Sequence, residues 1–196
     1  MAAVPSRRYS AAVGSDGARD RILDAAEACL LRHGSAGLVL DAVAREAEVS
    51  KGGLLYHFRS KEALISGLTQ RMLDRFEEVQ DEAAARDGRR TGAWSRAYLA
   101  STVAEDGQAA DNSAQLMAGI LAALGRESAE LGELRERFGR WHRRLEQDGI
   151  DPITALIVRL AADGLWLSAL LGLPGPDPQT SARVLAALRE MTGAQE

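Results

Sequence analysis

Few residues in this sequence carry side chains suited to covalent or metal chemistry, and those few are far apart. The three histidines are His33, His57 and His142, and the single cysteine is Cys29. A metal site needs several such ligands at short spacings, and a nucleophile needs a nearby base, as in the HExxH and GxSxG motifs, neither of which occurs here. We therefore expect a protein that is not an enzyme and that uses no metal and no cofactor.

The stretch 39–64, VLDAVAREAEVSKGGLLYHFRSKEAL, shows a pattern that suits DNA binding. Apolar residues recur at helical spacing around Val43 and again around Leu54, which predicts two short helices at about 40–47 and 51–58. The apolar side chains of Val43, Val49 in the turn, and Leu54 would hold the two helices at a fixed angle. This arrangement is a helix-turn-helix.

The side of the second helix that faces away from the core would meet the DNA. If Leu54 points into the core, a rotation of 100° per residue places Gly52 and Tyr56 on the opposite side. Lys51 and Lys61 stand at the two ends of this helix, where their ammonium groups can contact backbone phosphates. The free amides at its first turn also favour a phosphate. Such a helix can enter the major groove, which is about 12 Å wide.

The segment EVSKGGLLYHFRSKEALI resembles the recognition-helix signature of TetR-family regulators. In that family a Val-Ser-Lys-Gly turn leads into a helix with aromatic and histidine residues, and a Ser-Lys-x-x-Leu segment begins the next helix. The likeness in motif covers about residues 21–68, and helix number and length suit the family over the rest. The resemblance implies a set of DNA-contacting residues: Ser50, Lys51, Gly52, Gly53, Leu55, Tyr56, His57 and Lys61.

Two positions depart from the family pattern. Val39 stands where the family usually has a Ser or Thr that caps the first helix of the motif, so one cap and one phosphate contact are missing. Glu48 stands where the family usually has a glycine, and a non-glycine residue in a left-handed conformation costs about 1–2 kcal/mol. Both departures would weaken DNA binding or shift the docking, but neither removes the motif.

Other interpretations of the motif stay open at the level of sequence. Residues 39–58 could form an ordinary helical hairpin, and His57 on its own suits half-buried packing better than base contact. The chain could also be a helical ligand-binding protein that has lost DNA recognition, an alternative that Val39 and Glu48 support. Binding to the DNA upstream of its own gene at low salt would distinguish the two functions.

Composition and charge set the fold class and the compartment. The 196 residues are 46% hydrophobic and 27% charged, with only 5 prolines and no alternating strand pattern, which predicts an all-α fold.

The net charge of −4 divides into +1 for residues 1–66 and −5 for 67–196, and this asymmetry permits DNA binding by the first part. Cys29 lies on an apolar helix face, so we expect it in the core of a cytoplasmic, bacterial protein that has no signal segment.

The pattern of helix starts and stops predicts about nine helices in three regions. We expect a flexible arm over 1–16, a three-helix DNA-binding domain over 17–64 and a ligand-sensing and dimerisation domain over 65–196. Ser50, Ser60, Ser113 and Ser128 are the predicted helix caps. The remaining predicted helices lie at about 18–33, 61–86, 93–106, 112–125, 128–147, 152–172 and 178–191.

The second domain contains aromatic and soft side chains that suit an apolar ligand pocket of the family's kind. Each of them could equally be plain core packing. His142 and Asp163 are the polar candidates, and since a buried carboxylate needs a partner we expect one for Asp163 across a dimer rather than in a ligand. The apolar candidates are Met72, Phe76, Trp94, Tyr98, Met117, Leu121, Phe138, Trp141 and Trp166.

The segment 152–172 is apolar nearly all round, and a helix that is apolar on every side must be buried on every side. A second chain is the natural cover, so we expect a homodimer through 152–172 and 178–191, as in TetR-like proteins, and no membrane. A dimer places two recognition helices about 34–36 Å apart, or a multiple of that, and so reads a palindromic operator. The family further implies repression that a small, hydrophobic effector of unknown identity relieves.

Overall fold

The computed structural model describes residues 15–104, 112–124 and 129–193, which form nine α-helices and one 3-10 turn. The expected all-α fold class is confirmed. Residues 1–14 of the predicted arm and the predicted cap Ser128 lie outside the described residues. The elements are α1 (Ser15–His33), the 3-10 turn (Gly34–Gly37), α2 (Leu40–Glu46), α3 (Lys51–His57), α4 (Lys61–Arg86), α5 (Ala93–Thr102), α6 (Ser113–Ala123), α7 (Ala129–Glu146), α8 (Pro152–Leu171) and α9 (Pro178–Met191).

Helix α1 begins at Ser15 and not at about Ala18, so it includes the last two residues of the predicted arm, and the structure differs from two further expectations. Helix α5 ends at Thr102 and not near 106, because Val103 already has extended backbone angles. Ser113 is not the cap of α6: Asn112 occupies that position and makes no capping bond with its side chain. The Ser113 hydroxyl instead accepts a hydrogen bond from the indole nitrogen of Trp166 at 3.4 Å. The hydroxyl of Ser113 thus bonds to a side chain of α8, and the local sequence around Ser113 does not predict a contact of this kind.

The chain divides into two compact units, Met1–Leu64 and Ile65–Glu196. In the first unit α1, α2 and α3 pack around a core of fully buried side chains. Cys29 belongs to this core, and its burial raises the pKa of the thiol, which makes the reactive thiolate scarce at neutral pH. The predicted packing role of Cys29 is thus confirmed. Buried side chains of this core include Ile22, Leu23, Leu30, Leu38, Val43 and Leu54.

The turn between α2 and α3 depends on a strained residue. Glu48 has φ +54°, the one positive φ of a non-glycine residue in the described ranges. This conformation lets the N–H of Val49 reach back to the carbonyl of Ala44 at 3.0 Å, which closes the end of α2. The expected left-handed position is therefore present, and a glutamate occupies it.

The second unit is organised around α8, which packs against α5, α6, α7 and α9. Its inner side contributes small, fully buried residues, Ala155, Val158 and Ala162, which allow the neighbouring helices to approach closely. The core also includes Leu73 of α4 and Leu185 of α9. A single apolar core therefore joins five of the helices in this unit.

Polar bonds fix the start of α5 against two other parts of the unit. The Asp148 carboxylate accepts hydrogen bonds from the backbone N–H groups of Trp94 (3.0 Å) and Ser95 (2.7 Å), which caps α5 from the end of α7. Arg96 donates to the Asp87 carboxylate at 2.6 Å and to the Thr192 carbonyl at 2.7 Å. These bonds hold the 87–92 loop and the end of α9 together.

The outer side of α8 is apolar and exposed, at positions separated by four and three residues. By length and composition α8 could cross a membrane. Its two charged residues, however, lie near the middle of the helix and pair with each other, Arg159 with Asp163 at 3.2 Å. The exposed apolar side chains are Ile153, Ile157, Leu160, Leu167 and Leu171, which we call the outer face of α8.

We predict that Glu48→Gly stabilises the protein. Glycine adopts the left-handed conformation freely, which removes about 1–2 kcal/mol of strain, and the greater freedom of glycine in the unfolded chain offsets about 0.4–1 kcal/mol of this gain. Chemical denaturation should show a net increase of about 0.5–1 kcal/mol in the free energy of unfolding. Glu48→Gln is the matched control because it removes the charge and keeps the strain. Equal effects of the two substitutions would contradict this explanation.

Candidate nucleic-acid interface and effector site

Helix α3 is positioned by its cap and by one buried side chain. Ser50 precedes the helix in an extended conformation, and its hydroxyl accepts a hydrogen bond from the N–H of Gly53 at 3.0 Å. Leu54 is fully buried, which fixes the rotation of α3 in the first unit. The predictions that Ser50 caps α3 and that Leu54 points into the core are both confirmed.

With Leu54 buried, the opposite side of α3 is open to solvent. The Tyr56 side chain is 80% exposed and contacts the half-buried His57 ring edge to face, with 5.1 Å between the ring centroids. Gly52 is exposed, and a Cβ atom there would meet only the Ser50 hydroxyl, at 3.9 Å. Leu55 and Gly53 are half-buried beside this open side. The predicted rotation of the helix is therefore correct.

The two lysines of this region have different surroundings. Lys51 is exposed and forms an ion pair with Asp41 of α2 at 3.0 Å, which the sequence pattern did not indicate. Exposed pairs of this kind contribute little free energy, so a phosphate can compete for the ammonium group. Lys61 is half-buried at the first position of α4, whose cap is the Ser60 hydroxyl bonded to the N–H of Ala63 at 3.1 Å. Val39 makes no capping bond for α2, as its apolar side chain requires.

Aromatic rings from α4, α5 and α7 meet inside the second unit. The Phe76 ring lies 4.9 Å from Trp141 and 6.0 Å from Tyr98, measured between centroids, and Phe138 lies 4.9 Å from Trp141. All four residues were candidates for ligand contact from the sequence. Together with Met72 and Trp94, which belong to the same core, they form what we call the aromatic cluster.

The polar edge of the aromatic cluster is held by paired charges. The indole nitrogen of Trp141 donates to the Glu77 carboxylate at 2.8 Å. Glu77 also accepts from Arg137 at 2.6 Å, and Arg137 further contacts Asp74 and Glu133. These bonds fix the ring of Trp141 and join α4 to α7.

Asp163 has its partners within the same chain. Its carboxylate accepts a hydrogen bond from the hydroxyl of Tyr98 and pairs with Arg159 at 3.2 Å. The expectation of a partner across a dimer was therefore wrong, because α5 packs against α8 and brings Tyr98 to this carboxylate. Burial raises the pKa of Tyr98 far above its usual range, and the negative charge of Asp163 raises it further.

The other predicted ligand contacts lie apart from the aromatic cluster. Met117 is buried and Leu121 half-buried on α6, and the half-buried Trp166 of α8 bonds to the start of α6. His142 is half-buried on α7 and lies 3.4 Å from the Glu146 carboxylate. The apolar candidates thus fall into two groups, one on α4, α5 and α7 and one on α6 and α8. Asp163 of α8 is bonded to Tyr98 of the first group.

Sequence reasoning missed a polar group inside the second unit. Gln80 of α4 is fully buried, and neither atom of its side-chain amide has a hydrogen-bond partner among the described residues. The indole nitrogen of Trp94 and the hydroxyl of Ser95 are likewise buried without a partner there. The sequence did indicate that Gln80 is buried, because Gln80 follows Leu73 and Phe76 at the spacing of the buried side of α4. In the described ranges no three His, Cys, Asp or Glu residues are grouped as a metal would require.

Comparison with known families gives matches over most of the chain. The family model described as "Bacterial regulatory proteins, tetR family" matches residues 22–68, and the one described as "Tetracyclin repressor-like, C-terminal domain" matches residues 92–193. A search of curated proteins found no match.

Solved structures resemble the whole fold. A member of the TetR family from Streptomyces coelicolor A3 is 26% identical, with a TM-score of 0.60 over 87% of this chain and 97% of that one. The multidrug binding protein EbrR, in complex with malachite green, is 26% identical, with a TM-score of 0.59 over 88% and 96%. A transcriptional regulator from Rhodococcus sp. Rha1 has a TM-score of 0.68 over 88% and 96%, and at 21% identity it supports the fold alone.

We predict that Tyr98 makes the protein less stable at high pH. A tyrosine whose pKa is raised in the folded state contributes stability that is fully present below its unfolded pKa of about 10 and is lost as the pH rises above it. Each pH unit above about 10 should lower the free energy of unfolding by about 1.4 kcal/mol through this group. Denaturation at several alkaline pH values should show a shallower fall for Tyr98→Phe than for the parent. The control is Tyr56→Phe, which changes an exposed tyrosine. If the free energy of unfolding of Tyr98→Phe falls with pH as steeply as that of the parent, Tyr98 is not the group responsible.

Proposed function

The chain belongs to the TetR family of bacterial regulators, and we propose that it is a ligand-responsive repressor that binds a palindromic operator as a dimer and is released by a small, hydrophobic effector. It is a DNA-binding transcriptional regulator and not an enzyme. The observation that carries the proposal is the open side of α3, where the exposed Tyr56 stands beside the bare backbone of Gly52. We place its action in the cytoplasm, where the operator is accessible.

In the proposed complex α3 lies in the major groove. Tyr56, Leu55 and His57 would face the base edges, because they line the open side of the helix or its border. Gly52 and Gly53 would let the backbone approach a phosphate closely, since no side chain intervenes there. Lys51 and Lys61 would bind phosphates, and Ser50 would hold the start of α3 in place.

We predict that substitutions at Tyr56 and Lys61 both weaken DNA binding but in different ways. Loss of a base contact in Tyr56→Ala should cost about 1–3 kcal/mol on the operator and relax its specificity. Loss of a phosphate contact in Lys61→Ala should weaken binding to every sequence and reduce the salt slope by about 1. Fluorescence anisotropy with DNA upstream of the gene measures both effects. The control Arg86→Ala removes an exposed charge at the other end of α4.

If both variants bind as tightly as the parent, α3 is not the recognition helix. If the parent itself fails to bind any DNA at low salt, the chain is a helical ligand-binding protein that has lost DNA recognition.

A second copy of the chain is the proposed cover for the outer face of α8. The spacing of four and three residues along this face is the pattern by which two helices pack side by side. Gly164 lies in the middle of the face and is exposed, and a Cβ atom at this position would have no other atom within 4 Å. Two helices can approach closely at such a residue. We therefore propose that α8 of each copy crosses its partner near Gly164, with α9 completing the interface.

We predict that Leu160→Lys converts the dimer to a monomer. Leu160 is 58% exposed in a single chain, and a lysine buried between two copies would lack a partner. Light scattering at micromolar concentration should give half the mass of the parent, with an unchanged helical circular dichroism spectrum. Val79→Lys is the matched control, because Val79 is an exposed apolar residue of α4 outside this face. A parent protein that is already monomeric would contradict the proposed interface.

The aromatic cluster is the proposed effector site. Its rings and Met72 offer the apolar, aromatic walls that small-molecule sites use. The similarity to EbrR, which was solved with malachite green, supports an aromatic effector. Release requires that the effector bind more tightly to the conformation with low affinity for the operator, since only a difference in affinity shifts the equilibrium.

A further inference from the structure

We propose that Gln80, Trp94 and Ser95 form the polar end of the effector site and select a neutral, planar molecule that carries an adjacent hydrogen-bond donor and acceptor, as an aromatic lactam or carboxamide does. The inference rests on the proposed function only in treating the aromatic cluster as the effector site. It adds the chemical class of the molecule that binds there.

The first observation is that these polar groups are buried and lack partners. Gln80 has an exposed fraction of 0%, and both its amide oxygen and its amide nitrogen are without a hydrogen bond among the described residues. The indole N–H of Trp94 and the hydroxyl of Ser95 are in the same condition. Buried polar groups in folded proteins are nearly always paired with protein, water or a ligand, because an unpaired group loses its hydration without compensation.

The second observation is that one side chain, that of Arg144, connects Trp94 to the turn of α4 that contains Gln80. The guanidinium group of Arg144 bonds to the carboxylate of Asp81 at 2.5 Å, and its central carbon lies 4.2 Å from the centroid of the Trp94 ring. One side chain thus contacts both Trp94 and the residue next to Gln80. Ser95 follows Trp94 directly and is fully buried.

Two rings of the aromatic cluster lie near these polar residues along α4 and α5. Phe76 precedes Gln80 by one turn of α4, and its ring contacts Tyr98, which follows Trp94 by one turn of α5. Gln80 and Trp94 thus each lie one helical turn from the Phe76–Tyr98 contact, Gln80 on α4 and Trp94 on α5. In the proposed complex the ring of a planar molecule lies against the aromatic cluster and its polar groups lie at Gln80.

The unpaired atoms of Gln80, Trp94 and Ser95 determine which polar groups a ligand needs in order to bind there. A glutamine amide presents an acceptor oxygen next to a donor nitrogen, which is the complement of a lactam or carboxamide edge. The indole N–H adds a second donor for the ligand's carbonyl, and the Ser95 hydroxyl can donate or accept. A ligand without both a donor and an acceptor would leave part of this set unpaired.

The charges around the site favour a neutral molecule. Arg144 is paired with Asp81, Glu77 with Arg137, and Asp163 with Arg159 and Tyr98. A charged ligand would have to break one of these pairs or remain buried without an opposite charge, which is costly.

The first test is the substitution Gln80→Leu in the protein without ligand. It replaces the unpaired amide with an apolar group of similar size, so the thermal unfolding midpoint should rise. The matched control is Gln70→Leu, at an exposed position of the same helix, which should leave the midpoint nearly unchanged. An unchanged or lower midpoint for Gln80→Leu would show that the amide already has a structural partner, such as a bound water, and would overturn the proposal.

The second test uses 2-quinolinone as the probe, with N-methyl-2-quinolinone as its control, which lacks the donor. Titration calorimetry on the free protein should show at least tenfold tighter binding of 2-quinolinone, and Gln80→Leu should abolish this preference. Equal binding of the two compounds by the parent, or binding of neither, would overturn the proposal. Because the titration needs no DNA, a selective site in a protein that fails to bind its operator would leave this inference standing and contradict the proposed function instead.

Discussion

Helix α8 has apolar side chains on more sides than its own unit covers. Its inner side, with Ala155, Val158 and Ala162, is buried against the neighbouring helices, while the outer face remains exposed. Exposed apolar surface of this extent is a liability in water unless a partner covers it. The proposed dimer follows from this constraint, and so does the pairing of two recognition helices on a palindromic site.

The same helix is tied to the aromatic cluster through a polar bond. Tyr98 contacts the ring of Phe76, and its hydroxyl donates a hydrogen bond to the Asp163 carboxylate of α8. A molecule that displaces the ring of Tyr98 would therefore disturb a residue of the helix that carries the proposed dimer face. This connection gives the proposed effector site a physical route to the proposed interface, because both depend on the position of α8.

The helix-turn-helix was predictable from the sequence because its determinants are local. The cap at Ser50, the left-handed position at Glu48 and the buried Leu54 all lie within a few residues of the helices that they fix. Spacing indicates which side chains are buried but not which helices meet. The sequence could therefore not show that Met117 and Trp166 lie outside the aromatic cluster. The partners of isolated polar residues were the least predictable from the sequence. Asp163 was expected to find its partner in a second chain, yet Tyr98 reaches it through the packing of α5 on α8.

The stoichiometry of the protein–DNA complex tests the proposed dimeric repressor most directly. Sedimentation of the protein with DNA from upstream of its own gene, at low salt and with excess protein, gives the number of chains per duplex. We expect two chains, or a multiple of two, on each operator. One chain per duplex, or no complex at all, would contradict the proposal.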